Sequence, residues 1–169
     1  MRSNENTVGY IWLDYSNFTE KWLHRAEDLN RPLDKADGFI ALWVAFNAWM
    51  RKEFGEEKKD WELINDTKKS ENIEAVYEHL RDSNEQLKSA LRELSEYWVI
   101  NMRFINDRSK DVKYDGTYKS LIDTLYQIRC NLFHGRKGTQ ETEEDYKLIC
   151  LAYDILFPII KEYILTHGC

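Results

Sequence analysis

Apolar residues recur every three to four positions along most of the chain, and that period predicts helices throughout. From Phe39 to Met50 the pattern is densest: Phe39, Leu42, Trp43, Phe46, Trp49 and Met50 make a face too broad for a surface helix. Asp34 or Asp37 caps that helix, and Gly55 stops it after Phe54. Before it, Phe18, Trp22, Leu23 and Ala26 share one face of a first helix capped by Ser16 or Asn17 and ended at Asn30-Arg31-Pro32. The first fifteen residues are polar and then aromatic, and read as an irregular arm. Beyond Gly55, a charged stretch of mixed sign holds a short helix near Asp60 to Lys68. Two more follow: near Asn72 to Arg81, marked by Ile73, Val76, Tyr77 and Leu80, and near Asn84 to Tyr97, marked by Leu87, Leu91 and Leu94. His79 falls off the apolar face and reads as a surface residue.

Residues 98 to 117 follow no single period. Their cations, Arg103, Arg108, Lys110 and Lys113, either border a cleft or lie on a mobile surface loop. The pattern returns at Thr117, where Tyr118, Leu121, Ile122, Leu125, Ile128 and Leu132 form the stripe of a helix running to His134 and closed by Gly135. A last long helix starts at Thr142 with Glu144 and Asp145 in its first turn, and Pro158 is placed to kink it. Together these elements predict one all-α domain over residues 1–169. It is an up-and-down helical bundle with extra short helices, in which the 117–134 helix packs on the Phe39–Met50 helix and pairs with the last one as an antiparallel hairpin.

Composition narrows the setting. A chain of 169 residues can bury a core without metals or disulfides, and only seven Gly and two Pro leave room for long helices. Cys130, Cys150 and Cys169 lack metal-ligand spacing, no leader segment is visible and no apolar run approaches about 18 residues, so a cytoplasmic protein off the membrane is expected. A formal net charge of −6 disfavours extended binding to duplex nucleic acid, which needs many phosphate contacts, but allows a local pocket that grips a few phosphates. No Gly-rich phosphate loop, His/Cys cluster or Ser/His/Asp set is present, so no metal and no cofactor is expected.

Candidate chemistry is concentrated where the 117–134 helix ends. Arg129, Asn131 and His134 break its apolar pattern, and Arg136 and Lys137 follow at once. On a regular helix Asn131 and His134 lie about 60° apart, whereas Arg129 and His134 diverge by about 140°. The latter two meet only if the last turn unwinds or a second copy of the helix faces the first. The plain alternative is structural: His134 complements the helix dipole, Arg129 is an ion-pair partner sealed from solvent, and Asn131 is a solvated amide. Asn47, beside the densest apolar face, is either a core amide or a support for the cleft.

Arg129-Cys130-Asn131-Leu132-Phe133-His134-Gly135 resembles the motif of HEPN domains, an Arg followed after four to six residues by His, commonly with a polar residue just after the Arg. Phe39-Ile40-Ala41-Leu42-Trp43-Val44-Ala45-Phe46-Asn47-Ala48-Trp49 is similar to the early core helix of stand-alone bacterial HEPN proteins, and the likeness spans roughly residues 15 to 166. The resemblance implies a HEPN-type bundle, a homodimer with both motifs facing a shared cleft, and metal-independent endoribonuclease activity leaving 2′,3′-cyclic phosphate ends. Arg129, Asn131 and His134 would be catalytic, with Arg136, Lys137 and Asn47 on the substrate. It further implies an RNA substrate, a role as a toxin or in defence, and in some members an antitoxin partner. Non-catalytic members that bind nucleotide, RNA or protein are the alternative it carries. Members controlled by modification tend to have Tyr two residues after the His, where this chain has Arg136, which argues against such control.

Overall fold

The computed structural model describes residues 14–31, 34–133 and 142–168. Among them are seven α-helices: α1 (Tyr15–Asp28), α2 (Lys35–Phe54), α3 (Asp60–Thr67), α4 (Glu71–Ser83), α5 (Glu85–Leu94), α6 (Tyr118–Phe133) and α7 (Glu143–His167). The expected all-α bundle is what the chain forms, and its described residues contain no strand.

Local chemistry sets the helix ends. The first helix starts earlier than the sequence suggests: Asp14, not Ser16 or Asn17, is the cap, its carboxylate accepting from the Asn17 backbone N–H at 3.2 Å. Asp14 and Tyr15, expected in the irregular arm, are thus the cap and first residue of the helix; residues 1–13 of that arm lie outside the described residues. Asp34 precedes α2, and Gly55 ends it at φ 125°, a backbone state that a side chain would strain. The start of α7 is a reciprocal capping box, with Thr142 Oγ1 accepting from Asp145 N–H and the Asp145 carboxylate accepting from Thr142 N–H, each at 3.1 Å. The helix then runs through Pro158 without a break.

Packing differs from expectation in one respect. The apolar face of α2 is buried as predicted, with Phe39, Leu42 and Phe46 fully enclosed, and it lies against α1, α3 and α7. Yet α7 is the common neighbour, lying beside α2, α4, α5 and α6. The backbone of α6 runs beside α7, α3 and α4, and α6 meets α2 through long side chains, the Trp43 and Tyr126 rings standing 6.3 Å apart. Buried tyrosines tie these layers together. Tyr153 donates to the Ala26 carbonyl at 2.8 Å, and Tyr118 donates to the Thr67 carbonyl at 2.9 Å. Gly38 permits the first of these approaches: a Cβ there would stand 3.1 Å from the Tyr153 ring and 3.2 Å from the Leu29 carbonyl oxygen.

Residues 98 to 117, left open by the sequence, form a closed loop. Val99 and Val112 exchange two backbone hydrogen bonds of 2.8 and 3.0 Å in an isolated bridge, with two short 3-10 turns between them. The Asp111 side chain is buried beneath the loop, accepting from Asn101 N–H at 3.0 Å and paired with Arg108.

Candidate functional site

Four residues of α2, α3 and α6 form a connected polar chain. Asn47 Oδ1 accepts from Arg51 Nε at 3.0 Å; Arg51 Nη2 meets one oxygen of Asp60 at 3.1 Å; Arg129 Nη2 meets the other at 3.2 Å. The spacing explains the arrangement. Asn47 and Arg51 are i and i+4 on α2, and Asp60 opens α3 after the Gly55 turn brings the chain back. Each nitrogen of Arg51 has an acceptor, because its Nη1 also donates to the carbonyls of Glu56 and Lys58 at 2.7 and 3.1 Å. Sequence reading missed Arg51, on the helix before Gly55, and took Asp60 only as the start of a short helix in a charged stretch of mixed sign; the i, i+4 pairing of Arg51 with Asn47 was the available signal.

Arg129 is less completely paired. Its side chain is 20% exposed; among the described residues its Nε is buried without a partner and its Nη1 reaches only the Cys130 sulfur at 4.0 Å. The guanidinium carbon lies 5.0 Å from the centre of the Phe133 ring and 5.9 Å from that of Trp43. Trp43 Nε1 is a second buried donor without a partner. Burial, and then the neighbouring Cys130 thiol and Asp60 carboxylate, push the Tyr126 hydroxyl up to about 12, so it stays protonated at neutral pH. Two guanidiniums share one carboxylate here, which leaves this small cluster with a net positive charge.

Asn131 belongs to another surface. Its Oδ1 accepts from Gln127 Nε2 at 2.8 Å and from Met102 N–H at 3.3 Å, while its Nδ2 donates to the Ile100 carbonyl at 2.7 Å. These bonds pin the Val99–Val112 loop to α6. Arg129 and Asn131, two residues apart on a helix that stays regular through Phe133, are about 160° apart around its axis. The structure therefore joins Arg129 to Asn47 and does not join it to Asn131. The cations Arg103, Arg108, Lys110 and Lys113 belong to the loop that Asn131 holds and its flank. His134, Arg136 and Lys137 lie outside the described residues.

Among the described residues no group of three or more His, Cys, Asp or Glu is placed to hold a metal ion, and no helix is long and apolar enough to cross a membrane. No family model, no curated protein and no solved structure matches the chain.

Proposed function

We propose that the chain is a metal-independent endoribonuclease of the HEPN type, a cytoplasmic homodimer that cuts RNA in a cleft between its subunits. The observation that carries this reading is the incomplete pairing of Arg129. Its carboxylate partner is shared with Arg51, one of its nitrogens has no acceptor among the described residues, and part of its side chain reaches solvent. A guanidinium held in this way keeps its orientation and retains capacity for a phosphate oxygen. A purely structural arginine would instead have an acceptor on each nitrogen, as Arg51 does.

In this mechanism Arg129 holds the scissile phosphate and stabilises the charge that builds on its oxygens. His134, which follows the last turn of α6, takes the 2′-hydroxyl proton; an imidazole with a pKa of about 6.5 suits that task near neutral pH. The 2′-oxygen attacks phosphorus, the bond to the 5′-oxygen breaks, and the leaving oxygen takes up a proton from an imidazolium. The products are a 2′,3′-cyclic phosphate and a 5′-hydroxyl. Asn47 and Asn131 act by positioning, Asn47 through Arg51 and Asp60, and Asn131 through the loop it anchors. Arg136 and Lys137 add cations for the RNA strand. Such an activity fits a toxin or a defence enzyme, with an antitoxin as a further partner.

One observation favours the runner-up, a non-catalytic module that binds nucleotide, RNA or protein: Arg129 and Asn131 face opposite sides of α6, so a complete catalytic set is not assembled around Arg129 within the described residues. A cleavage assay with labelled RNA separates the two. Arg129→Ala and His134→Ala should each lower cleavage by at least a hundredfold while the circular dichroism and oligomeric state match wild type. Wild-type protein that retains RNA without cutting it supports the module instead, and variants that cut as well as wild type overturn the assignment.

A further inference from the structure

A cationic cavity, open to solvent, lies at the opposite end of α6 from Arg129. It has a volume of about 380 Å³, and its walls include Arg81 from the last turn of α4, Lys88, Leu91 and Arg92 from α5, and Tyr114 and Asp115 from the segment leading into α6. Lys88, Leu91 and Arg92 are i, i+3 and i+4, so one stripe of α5 supplies two cations and an apolar contact between them. Tyr118 and Arg129 bracket eleven helical steps, about 17 Å of axis, which makes this a separate site. It stands independently of the activity proposed above.

The cavity has a fixed floor and available charge. Tyr77 and Tyr114 share a hydrogen bond of 2.6 Å between their hydroxyls, and Tyr77 Oη lies 3.2 Å from the Gly116 carbonyl oxygen, to which it donates. The Arg81 guanidinium stands over the Tyr77 ring, 5.5 Å from its centre, which limits how far it can swing. Among the described residues Arg81 and Lys88 form ion pairs only with neighbours on their own helices, Asp82 at 3.3 Å and Glu85 at 2.6 Å. Exposed pairs of that kind are weak and yield readily to a stronger anion. Arg92 makes no side-chain hydrogen bond or ion pair with another described residue, although Glu85 feels its charge. The one carboxylate in the wall, Asp115, is engaged locally: one of its oxygens accepts from Thr117 N–H, Thr117 Oγ1 and Ser120 Oγ, which offsets part of the cationic charge but leaves Arg81, Lys88 and Arg92 in excess.

We propose that this cavity binds the terminal phosphate of a nucleotide. Three cations from two helices converge on one volume, which suits a compact dianion better than a single carboxylate. Leu91 and Tyr114 supply an apolar wall beside them, and the volume lies within the range of small-ligand sites. The phosphate comes either from a free nucleoside monophosphate or from the 5′ end of an RNA strand.

The test is titration of the full chain with four probes: adenosine, 5′-AMP, and one short oligoribonucleotide with a 5′-hydroxyl or a 5′-phosphate. For the RNA arms the Arg129→Ala background removes any cleavage. At least one phosphorylated probe should bind tenfold or more tightly than its unphosphorylated counterpart, and the preference should fall as salt is raised. Preference for AMP alone identifies a free nucleotide; preference for the phosphorylated RNA alone identifies a strand end. Arg92→Gln, at an exposed position that folding does not need, should weaken the phosphorylated probe roughly ten- to a hundredfold, as expected for a lost charged hydrogen bond. Equal binding of both members of each pair, or an Arg92→Gln and Arg81→Gln double variant that binds as wild type, overturns the proposal. Retained phosphate binding in Arg129→Ala keeps this site distinct from the proposed nuclease centre.

Discussion

Arg129 and Asn131 sit in the same two turns of α6 and do different work. The guanidinium completes a chain of charges from α2 and α3, while the amide holds a loop by its backbone. An amide that bonds both a backbone N–H and a backbone C=O leaves both groups stranded when it is removed, and each stranded group costs about 1–3 kcal/mol if water cannot reach it. Both bonds are only partly buried, so water recovers part of that cost, and Asn131→Ala should lower stability by about 1 kcal/mol, read as a reduced denaturation midpoint. Its local signature is faster amide exchange in residues 99–112, with α1 and α2 unchanged. If that loop keeps its protection in the variant, Asn131 is not its anchor. Arg51 offers a contrast: each of its nitrogens has an acceptor among Asn47, Asp60 and two carbonyls, so its role is to hold Asp60 in place for Arg129.

At the scale of elements, the start of α6 is the best-defined local structure near the cationic cavity. Thr117 Oγ1 caps the helix by accepting from Ser120 N–H at 3.2 Å, and Asp115 accepts from Thr117 in turn. Hydrogen bonds from Ser120 and then Thr117 hold the Asp115 carboxyl at about 2, below the usual carboxylate range. A folded-state pKa below the unfolded one means that the ionised form supports folding. The contribution is present above the ordinary Asp value near 4 and is lost as pH falls through about 2. The denaturation midpoint should drop over that window in wild type, and an Asp115→Ala variant should show a smaller drop. Equal slopes in the two proteins would remove Asp115 from this role. Exposure of the carboxylate keeps the effect small, so paired measurements in one buffer series are needed.

For the whole molecule, the surface near Arg129 is where self-association is to be sought. Phe133 lies against the Arg129 guanidinium and is 47% exposed, and Trp61, next to Asp60, is 55% exposed. Large apolar rings beside a cationic cluster are a common mark of an interaction surface. The proposed homodimer predicts sedimentation at twice the chain mass at micromolar concentration, with a shift toward monomer in Phe133→Asp. A wild-type protein that remains monomeric at high concentration removes the shared cleft from the proposal, and with it the route by which Arg129 of one subunit meets His134 of another.

The sequence alone determined the helices, because a buried stripe at helical spacing, a Gly stop and an oxygen-bearing cap are local requirements that neighbours in the chain satisfy. The α2, α3 and α6 spans, the Gly55 stop and the Thr142 cap were legible for that reason, and Asp14 was missed only because several adjacent residues can cap equally well. Tertiary structure decided what no local rule contains. It made α7 the common neighbour, since contact among distant helices depends on how all their faces close together. It folded residues 99–112 around the buried Asp111 side chain, whose charge would otherwise have marked it for the surface. It gave Arg129 a carboxylate sixty-nine residues away and gave Asn131 the backbone groups of Ile100 and Met102 as partners, because which distant groups meet each face of a helix depends on how the rest of the chain packs around it.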